Sequence, residues 1–341
     1  MMNYEFSIQH SSFIIQHSVV VLILAAVLDY LIGDPWGFPH PVQGMGLVIS
    51  RFSQFVLKRF DSPLMLRWAG IFLAMGLIIG SGVVSWLIAY GASRLHPLFE
   101  LIIESILLAS CFAGRSLRAA AQNVLQYLKV DDLVQARSTL SLYVGRDTQQ
   151  LSEPEILRAV METVTENATD GVMAPLFYAI AGSFVPFIGA VPLALAYKAA
   201  STLDSMVGYR EAPYTDLGWF SARLEDYLTW IPCRLTVATL AILSGKPQHV
   251  WRICRRDAIK DPSPNSGWSE CAYAAILDVQ VGGTNWYRGV AKHKPLLGDA
   301  INPITPEKID RALQLTRYCF LMWLGLAFFV ACLRLCSPFI C

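Results

Sequence analysis

Three acidic residues stand four positions apart beside an apolar stretch of the chain: Glu162, Glu166 and Asp170. On one helix, this spacing places the three carboxylates on the same face. Because like charges at this spacing repel each other, a metal ion, another bound cation or a shared proton would stabilise such a helix, and a solvated helix face is the alternative. Further acidic residues stand beside other apolar segments, namely Asp204, Glu225 and Asp226. Together these clusters favour a polar site at a membrane surface.

Local signals predict where the acidic helix begins and ends. Ser152 and Glu155 form a capping box, which is typical of a helix N-terminus. Gly171 follows the last acidic residue and suits a left-handed cap at the C-terminus. The connector before this helix is GRDT, in which Arg146 can hold a phosphate through its guanidinium group. The same four residues also suit an ordinary link between two helices.

Amide side chains and glycine-rich turns are further candidates for substrate binding. Asn167 can bind a carboxylate or an amide. Asn265 lies in the turn SPNSG, and Gly282 and Gly283 lie in VGG. Such turns can expose backbone N–H groups to phosphate, although they also serve simply as turns. The sequence contains neither G-x-x-x-x-G-K-[ST] nor G-x-G-x-x-G, so a nucleotide would bind in another way.

A proline-rich turn near the N-terminus contains Asp34 and His40. Both side chains are possible metal ligands, but two ligands do not make a zinc site. A turn that places polar groups at the membrane interface is the alternative interpretation.

The composition indicates an integral membrane protein. Of the 341 residues, 54% are hydrophobic and only 16% are charged, and the mean hydropathy is +0.44. A soluble domain usually has about 25% charged residues. The net charge of +1 gives no basic field that would favour a nucleic-acid partner. The eight cysteines include no Cys-x-x-Cys pair, and nothing indicates a disulfide framework.

Four apolar segments are predicted to cross the membrane, and two are ambiguous. The predicted spans are roughly 18–33, 68–92, 98–113 and 317–336. The first ambiguous segment, 172–200, contains several prolines, including Pro186, and is predicted to form a re-entrant pair of half-helices. The second, 227–244, contains Pro232 and Arg234 and is predicted to pack against that pair without crossing.

Lysine and arginine cluster after the first span and in segments 115–158 and 246–317, which places these regions in the cytosol and the N-terminus outside. If neither ambiguous segment crosses, the loop 198–226 is cytosolic too. The predicted class is therefore an all-α, polytopic helical membrane protein with helical cytosolic segments. We expect five regions, namely 1–113 with three spans, 114–171 with the acidic face, 172–245 with broken apolar segments and a polar loop, 246–316 with the Gly/Ser/Asn motifs, and the terminal span 317–341.

Several long motifs in a fixed order resemble the CobD/CbiB family of adenosylcobinamide-phosphate synthases. They are GDPWGFPHPVQGMG, GRDT, ETVTENATDGVMAPLFYA, TLDSMVGYR, YTDLGWFSARLEDYLTWIPCRL and DPSPNSGWSECAYAAILDVQVGGTNWYRG. The resemblance covers roughly residues 25–300.

The resemblance implies a multi-pass enzyme of cobalamin biosynthesis in the inner cell membrane, with its active site facing the cytoplasm. The implied reaction joins the free propionate of adenosylcobyric acid to the amine of aminopropanol, or of its O-phosphate, in an amide bond. The implied cosubstrate is ATP and the implied cofactor is Mg²⁺. The lipid bilayer and other enzymes of the corrin pathway are expected partners, and nucleic acid is not.

The motifs then imply roles for individual residues. The catalytic candidates are Glu162, Glu166, Asp170, Asp204 and Asp226. The candidate magnesium ligands are Glu166, Asp170 and Asp204. The substrate-binding candidates are Arg146, Asn167, Arg210, Arg223, Asn265, Gly282 and Gly283.

Three other classes of protein fit parts of the pattern. A cation-coupled transporter also places carboxylates beside broken apolar helices. A CDP-alcohol phosphotransferase-like enzyme would begin its motif with Asp-Gly, but the expected downstream Ala-Arg and paired aspartates are absent. A non-catalytic scaffold that docks soluble corrin enzymes to the membrane would tolerate neutral residues in place of the carboxylates.

Overall fold

The computed structural model describes residues 2–33, 40–185 and 188–336, with side chains from residue 17 to residue 333 of these ranges. Asp34 and Pro186 therefore lie outside the described residues. The chain is 75% helical and contains a small two-stranded sheet. The predicted all-α class of a polytopic membrane protein is confirmed.

The first of two compact units comprises Met1–Ala113, Ala174–Leu228 and Met322–Cys341. Its complete helices are α1 Met2–Leu31, α2 Pro41–Arg59, α3 Pro63–Leu95, α4 Pro97–Ala109, α8 Ala174–Ser183 and α9 Ala190–Val207.

The second unit comprises Gly114–Met173 and Thr229–Leu321. It contains α5 Gly114–Leu128, α6 Leu133–Leu140, α7 Glu153–Asn167, a π-helical segment Ala168–Met173, α11 Pro247–Asp257, a 3-10 turn Ala258–Lys260, α12 Ser266–Leu277, β1 Gln280–Tyr287 and β2 Val290–Gly298. Two long helices, α10 Trp219–Leu243 and α13 Pro306–Cys336, pass from one unit into the other along the chain. The predicted region 172–245 is divided between the two units, after Met173 and again after Leu228.

Two described helices of the first unit begin at a proline with a capping side chain before it. Pro41 starts α2 and Pro97 starts α4, positions at which the missing proline N–H breaks no helical hydrogen bond. The imidazole rings of His40 and His96 accept hydrogen bonds from the backbone N–H two residues further on, at 3.2 and 3.1 Å. The described role of His40 is thus a helix cap.

Among the described residues, three helical stretches are long and apolar enough to cross a membrane. They are Pro63–Leu95, Pro97–Leu128, which takes in α4 and α5, and Pro306–Leu333. They overlap three of the four predicted spans, namely 68–92, 98–113 and 317–336. The fourth, 18–33, falls in α1, whose described apolar part, His17–Leu31, is shorter.

The core of the first unit forms around α9, which packs against α2, α3 and α8. Leu203 and Val207 of α9 are buried against Ile49, Leu73 and Ala74. Burial of one such leucine or isoleucine side chain contributes about 1.5–3 kcal/mol. The predicted break in segment 172–200 is present, since α8 ends at Ser183 and α9 begins at Ala190. Neither helix is among the three candidate spans.

The core of the second unit forms around α12, which packs against α7, α11 and both strands. The strands pair antiparallel, with Tyr287 opposite Val290 and a register shift between Val281 and Gly283. A hairpin of this length was not expected from the sequence, because its strands contain polar and glycine residues that resemble a loop.

Two local predictions were wrong. The acidic helix does not end at Gly171, because the helical run continues through the π-helical segment into α8. The segment VGG is not a turn, because Gly282 and Gly283 lie within β1 at its register shift. In both places the surrounding tertiary structure, which one short motif does not encode, determines the backbone conformation.

Candidate functional site

The second unit contains a buried cluster of charged side chains centred on α7. Glu162 is 1% exposed, and its Oε2 lies 2.6 Å from Nη2 of Arg146. This contact is an ion pair whose angles fall outside hydrogen-bond geometry. The other oxygen of Glu162 accepts a hydrogen bond of 2.8 Å from the backbone N–H of Gly282, and Arg158 lies 3.7 Å away. Both oxygens of Glu162 therefore have partners within the protein.

The two arginines fasten α7 and its preceding loop to β1. Arg146 donates to Oδ1 of Asn285 at 2.9 Å, and Arg158 donates to the same oxygen at 3.1 Å. Arg158 also donates to the carbonyl groups of Gly282 and of Thr284. The guanidinium groups thus donate hydrogen bonds to oxygen atoms of β1 that would otherwise lack partners at the edge of the sheet.

The paired glycines of β1 have backbone conformations that other residues rarely adopt. Their φ angles are +92° at Gly282 and +100° at Gly283. A Cβ atom at Gly282 would clash with the carbonyl oxygen of Pro295 on β2. The Gly282 N–H, predicted to bind phosphate, instead donates to Glu162.

The GRDT connector also contacts the hairpin. Asp147 accepts hydrogen bonds from the N–H groups of Arg288 and Gly289, at 3.0 and 2.8 Å, and its own N–H donates to Trp286 at 2.7 Å. Arg288 and Gly289 form the hairpin turn, both with positive φ. The connector therefore positions the hairpin through Asp147 and the acidic helix through Arg146.

A second buried ion pair joins α12 to β2. Glu270 is fully buried, and its Oε1 lies 2.5 Å from Nζ of Lys294. Its Oε2 is buried and accepts no hydrogen bond from any described residue. Burial raises the pKa of Glu270 well above its ordinary value, because the attraction of Lys294 does not offset the loss of water and the repulsion of Glu166 and Glu162. Burial lowers the pKa of Lys294. The attraction of the Glu270, Glu166 and Glu162 carboxylates outweighs burial, so the pKa is raised and this ammonium group stays charged.

Sequence reasoning did not propose either member of this pair. Glu270 had a visible signal, since it is a single charge in the otherwise uncharged helix SGWSECAYAAIL. Lys294 had none, because a lysine in a polar strand is ordinary.

Glu166 lies at the partly exposed side of this cluster. Burial raises its pKa, Lys294 lowers it, and Asp261 and Glu162 raise it. Asp261, in the loop before α12, accepts a hydrogen bond of 2.9 Å from the N–H of Ser263 through Oδ1. Its Oδ2 is buried without a hydrogen-bond partner in the part of the chain that the structure describes. Four carboxylates from three segments thus converge in the second unit.

Three other candidates of this unit have structural contacts. Asn167 is exposed and donates to the carbonyl of Thr163, one turn back on its own helix, at 2.9 Å. Asp170 is partly buried in the π-helical segment, whose wider turn shifts the helical phase relative to Glu166. Asn265 is buried directly before α12, where its Oδ1 lies 3.5 Å from Nη1 of Arg234.

The remaining candidates belong to the first unit. Asp204 lies in the last turn of α9, and Arg210 follows this helix. Burial raises the pKa of Asp226, and Arg210 and Arg223 oppose this increase, so these three residues form a local charge cluster. The guanidinium of Arg223 lies over the ring of Trp219, 5.5 Å from its centre. The candidates are therefore divided between the two units.

The first unit also contains a group with the spacing of metal ligands. His17, Glu100 and Glu104 offer three donor atoms that lie within 4.8 Å of one another. The ring Nε2 of His17 lies 2.8 Å from Oε2 of Glu104. Among the described residues, no other group of three His, Cys, Asp or Glu meets this spacing.

These features define a helical membrane protein with a buried carboxylate and cation cluster outside its candidate spans. The family model described as CobD/Cbib protein matches residues 22–316. A relative named cobalamin biosynthesis protein CobD, from Synechocystis sp., is 57% identical over 92% of each chain. Another, named cobalamin biosynthesis protein CbiB, from Salmonella choleraesuis, is 40% identical over 92% of this chain and 97% of its own.

A third relative named CobD, from Halalkalibacterium halodurans, is 39% identical over 87% of this chain and 91% of its own. No solved structure matches the chain. The chain belongs to the CobD/CbiB family.

Proposed function

We propose that this protein forms an amide bond in cobalamin biosynthesis, using ATP. The propionate carboxylate of adenosylcobyric acid is joined to aminopropanol or its O-phosphate, giving adenosylcobinamide or its phosphate. Family membership supports the pathway. The observation that carries the chemical assignment is the cluster of the second unit, where Glu166 and Glu270 lie beside Lys294.

The reaction explains why such a cluster is needed. A carboxylate and an ammonium group do not condense in water, because the carboxylate must first be activated and the ammonium must lose a proton. ATP transfers its γ-phosphoryl group to the carboxylate and leaves as ADP; the deprotonated amine then attacks the carbonyl carbon of the acyl phosphate and displaces inorganic phosphate. The protein must therefore hold an anionic phosphate and a cationic amine close together, which requires groups of both charges.

The described carboxylates suit magnesium carried by ATP. Mg²⁺ prefers oxygen ligands and usually binds one or two carboxylates together with phosphates and water. Glu166 and Asp170 of the second unit are the proposed ligands, and the assignment of Asp204, which belongs to the first unit, stays a prediction from the sequence. Magnesium would neutralise phosphate charge at this place.

The arginines are proposed to act in two ways. Arg146 forms an ion pair with Glu162, so it positions the acidic helix and places a positive charge beside it. Arg210 and Arg223 surround Asp226 in the first unit and are proposed to bind phosphate or the corrin carboxylate. Asn167, Asn265 and Gly283 remain proposed contacts for the substrates.

The active site is proposed to face the cytoplasm from the inner cell membrane. ATP and the corrin substrate are cytoplasmic, and the clustering of lysine and arginine in segments 115–158 and 246–317 supports a cytoplasmic position for these segments. The bilayer and other corrin-pathway enzymes are the proposed partners.

A cation-coupled transporter is the alternative, and one observation favours it. His17, Glu100 and Glu104 converge beside apolar helices, as in transporters that couple to protons or metal ions. Against this, the larger carboxylate cluster lies outside the candidate spans. Substrate-dependent ATP hydrolysis by purified protein distinguishes an enzyme from a carrier.

Reconstitution tests the proposed reaction. Purified protein in detergent is incubated with adenosylcobyric acid, ATP, Mg²⁺ and either amine, and the corrinoids are analysed by mass spectrometry. We expect the mass of the amide with at least one amine, and no product when ATP is omitted. Absence of the amide with both amines, from protein that unfolds cooperatively on heating, would contradict the proposal.

A further inference from the structure

One imidazole and two carboxylates meet where α1 packs against α4 in the first unit. Nε2 of His17 on α1 lies 2.8 Å from Oε2 of Glu104 on α4, although the two residues are 87 positions apart in the chain. Glu100 lies one helical turn before Glu104, and one donor atom from each of the three residues falls within 4.8 Å of the other two. The three donor atoms therefore converge on one small region.

The charges of this cluster are not balanced by basic side chains. The two glutamates are the only charged residues of α4, PLFELIIESILLA, which lies in a candidate membrane span. Carboxylates four positions apart repel each other, and they do so more strongly where little water screens them. Among the described residues, no lysine or arginine forms an ion pair with either glutamate, and His17 is their neighbour of opposite polarity. One divalent cation would balance both carboxylates beside a neutral imidazole.

The donor set suits Zn²⁺. Zinc binds imidazole nitrogen and carboxylate oxygen at about 2.0–2.2 Å, and tetrahedral angles then separate neighbouring ligand atoms by about 3.3–3.6 Å. The distances of 2.8 Å between His17 and Glu104 and of at most 4.8 Å across the group bracket these values, so small side-chain rotations reach this geometry. Mg²⁺ and Ca²⁺ prefer oxygen ligands, and the imidazole nitrogen therefore disfavours them.

The predicted topology places all three ligands on one side of the membrane. With the N-terminus outside, α1 enters the membrane from the outer side just after His17, and α3 returns the chain to that side before α4 begins. Glu100 and Glu104 lie in the first two turns of α4. The match to the family model begins at residue 22, after His17. The cluster therefore shares no residue with the proposed magnesium site, and one of its ligands lies outside the region that the family model matches.

We propose that His17, Glu100 and Glu104 form a zinc-binding site that links α1 to α4 at the outer surface of the cell membrane. The bound ion replaces the hydrogen bond between His17 and Glu104, and three metal bonds then hold the two helices together. Water completes the tetrahedral coordination at the fourth position. The site stabilises the helix pair and does not depend on the proposed amide-forming reaction.

Zinc binding by the purified full-length protein tests the proposal. The protein carries an affinity tag without histidine, is stripped with a chelator in detergent and is dialysed against increasing Zn²⁺, and bound zinc is measured by mass spectrometry. We expect one saturable Zn²⁺ per chain and, at about 100 times Kd, a rise of about 5 °C in melting temperature. His17→Gln, Glu100→Gln and Glu104→Gln should each weaken binding by at least tenfold. The matched controls Glu153→Gln and His249→Gln, which alter residues of α7 and α11, should bind normally.

Three results would overturn the proposal. They are no saturable zinc binding by the unmodified protein, normal binding by either Glu100→Gln or Glu104→Gln, and a thiolate charge-transfer band when Co²⁺ replaces zinc, which would assign the ion to cysteines. Melting temperatures without metal check that each variant is folded. The Glu100 carboxylate makes no hydrogen bond or ion pair with a described residue, so Glu100→Gln decides the question if another variant unfolds.

Discussion

Glu162 and Glu166 are one helical turn apart on α7 but have different surroundings. Glu162 is 1% exposed and contacts Arg146, Arg158 and the Gly282 N–H. Glu166 is partly exposed, and no hydrogen bond or ion pair joins it to another described residue. The first residue therefore stabilises the fold, whereas the second is available to a ligand.

Neutralising the first residue should destabilise the fold, whereas neutralising the second should leave stability nearly unchanged. Glu162→Gln leaves Arg146 buried without its counter-charge, which destabilises by about 3 kcal/mol or more. We expect its melting temperature in detergent to fall by about 5 °C or more. Glu166→Gln should melt within about 2 °C of the unmodified protein but lose amide formation. Equal melting temperatures for the two variants, or normal turnover by Glu166→Gln, would contradict these assignments.

The sequence predicted these acidic residues better than it predicted their neighbours. A four-residue spacing was enough to place Glu162 and Glu166 on one face of a helix. The spacing did not reveal that Arg146 and the N–H of Gly282 bind the carboxylate of Glu162, because these contacts join separate segments of the chain. Lys294 was missed for the same reason.

The hairpin is the element that positions this side of the second unit. Its β1 strand receives hydrogen bonds from Arg146 and Arg158, and its turn is fixed by Asp147. The helix N-termini at Ser152, Pro41 and Pro97 follow capping rules that operate over a few residues. The hairpin depends instead on long-range contacts, so local sequence signals did not predict it.

Two glycine substitutions compare a buried with an open position of the hairpin. Gly282→Ala introduces a clash with the Pro295 carbonyl in addition to an unfavourable φ of +92°. Gly289→Ala meets no atom within 4 Å, so only its φ of +76° opposes the change, by about 1–2 kcal/mol. Gly282→Ala should therefore lower the melting temperature more and reduce amide formation. A smaller effect at Gly282 than at Gly289 would show that the strand adjusts freely.

Asp257 joins the end of α11 to the end of β2 and makes stability depend on pH. Burial raises its pKa, but hydrogen bonds from Arg256, Lys260 and the Gly298 N–H outweigh burial and hold the pKa below its ordinary value. Because the folded pKa is below the unfolded one, the carboxylate stabilises the fold above the unfolded value. This contribution is lost as the pH falls through the folded pKa.

Acid titration of melting temperature checks this sign. Asp257→Asn should melt below the unmodified protein at about pH 6, and the difference should shrink towards about pH 3, as the unmodified carboxyl is protonated. Glu153→Gln is the matched control, since its exposed carboxylate has little effect on stability. A difference that grows on acidification would mean that the carboxylate is not stabilised by its partners.

On the scale of the whole molecule, composition predicted a helical membrane protein, and the fold confirms it. Composition did not predict how segments combine, because each unit is assembled from separate stretches of the chain. The side of the membrane occupied by loop 198–226 also remains a prediction. Asp204, Arg210 and Asp226 belong to this loop or its edges, so its placement decides whether they meet cytoplasmic ATP.

Thiol labelling tests the placement of this loop. In a cysteine-free background, Ala212→Cys and Thr215→Cys place single thiols at exposed positions, whereas Leu217 is buried and unsuitable. We expect an impermeant reagent to leave both unlabelled in intact spheroplasts and to label both after lysis. Labelling in intact cells would place the loop outside and would remove Asp204, Arg210 and Asp226 from the proposed active site.

Transfer of oxygen-18 tests the central claim most directly. Adenosylcobyric acid labelled in its free propionate carboxylate is incubated with ATP, Mg²⁺, the amine and purified protein, and both the phosphate and the corrinoid are analysed by mass spectrometry. We predict one labelled oxygen in the inorganic phosphate for each amide formed, with the unmodified protein and Glu153→Gln, and neither product with Glu166→Gln. Amide formation with unlabelled phosphate, or equal label transfer by Glu166→Gln, would contradict ATP-driven activation of the carboxylate at this site.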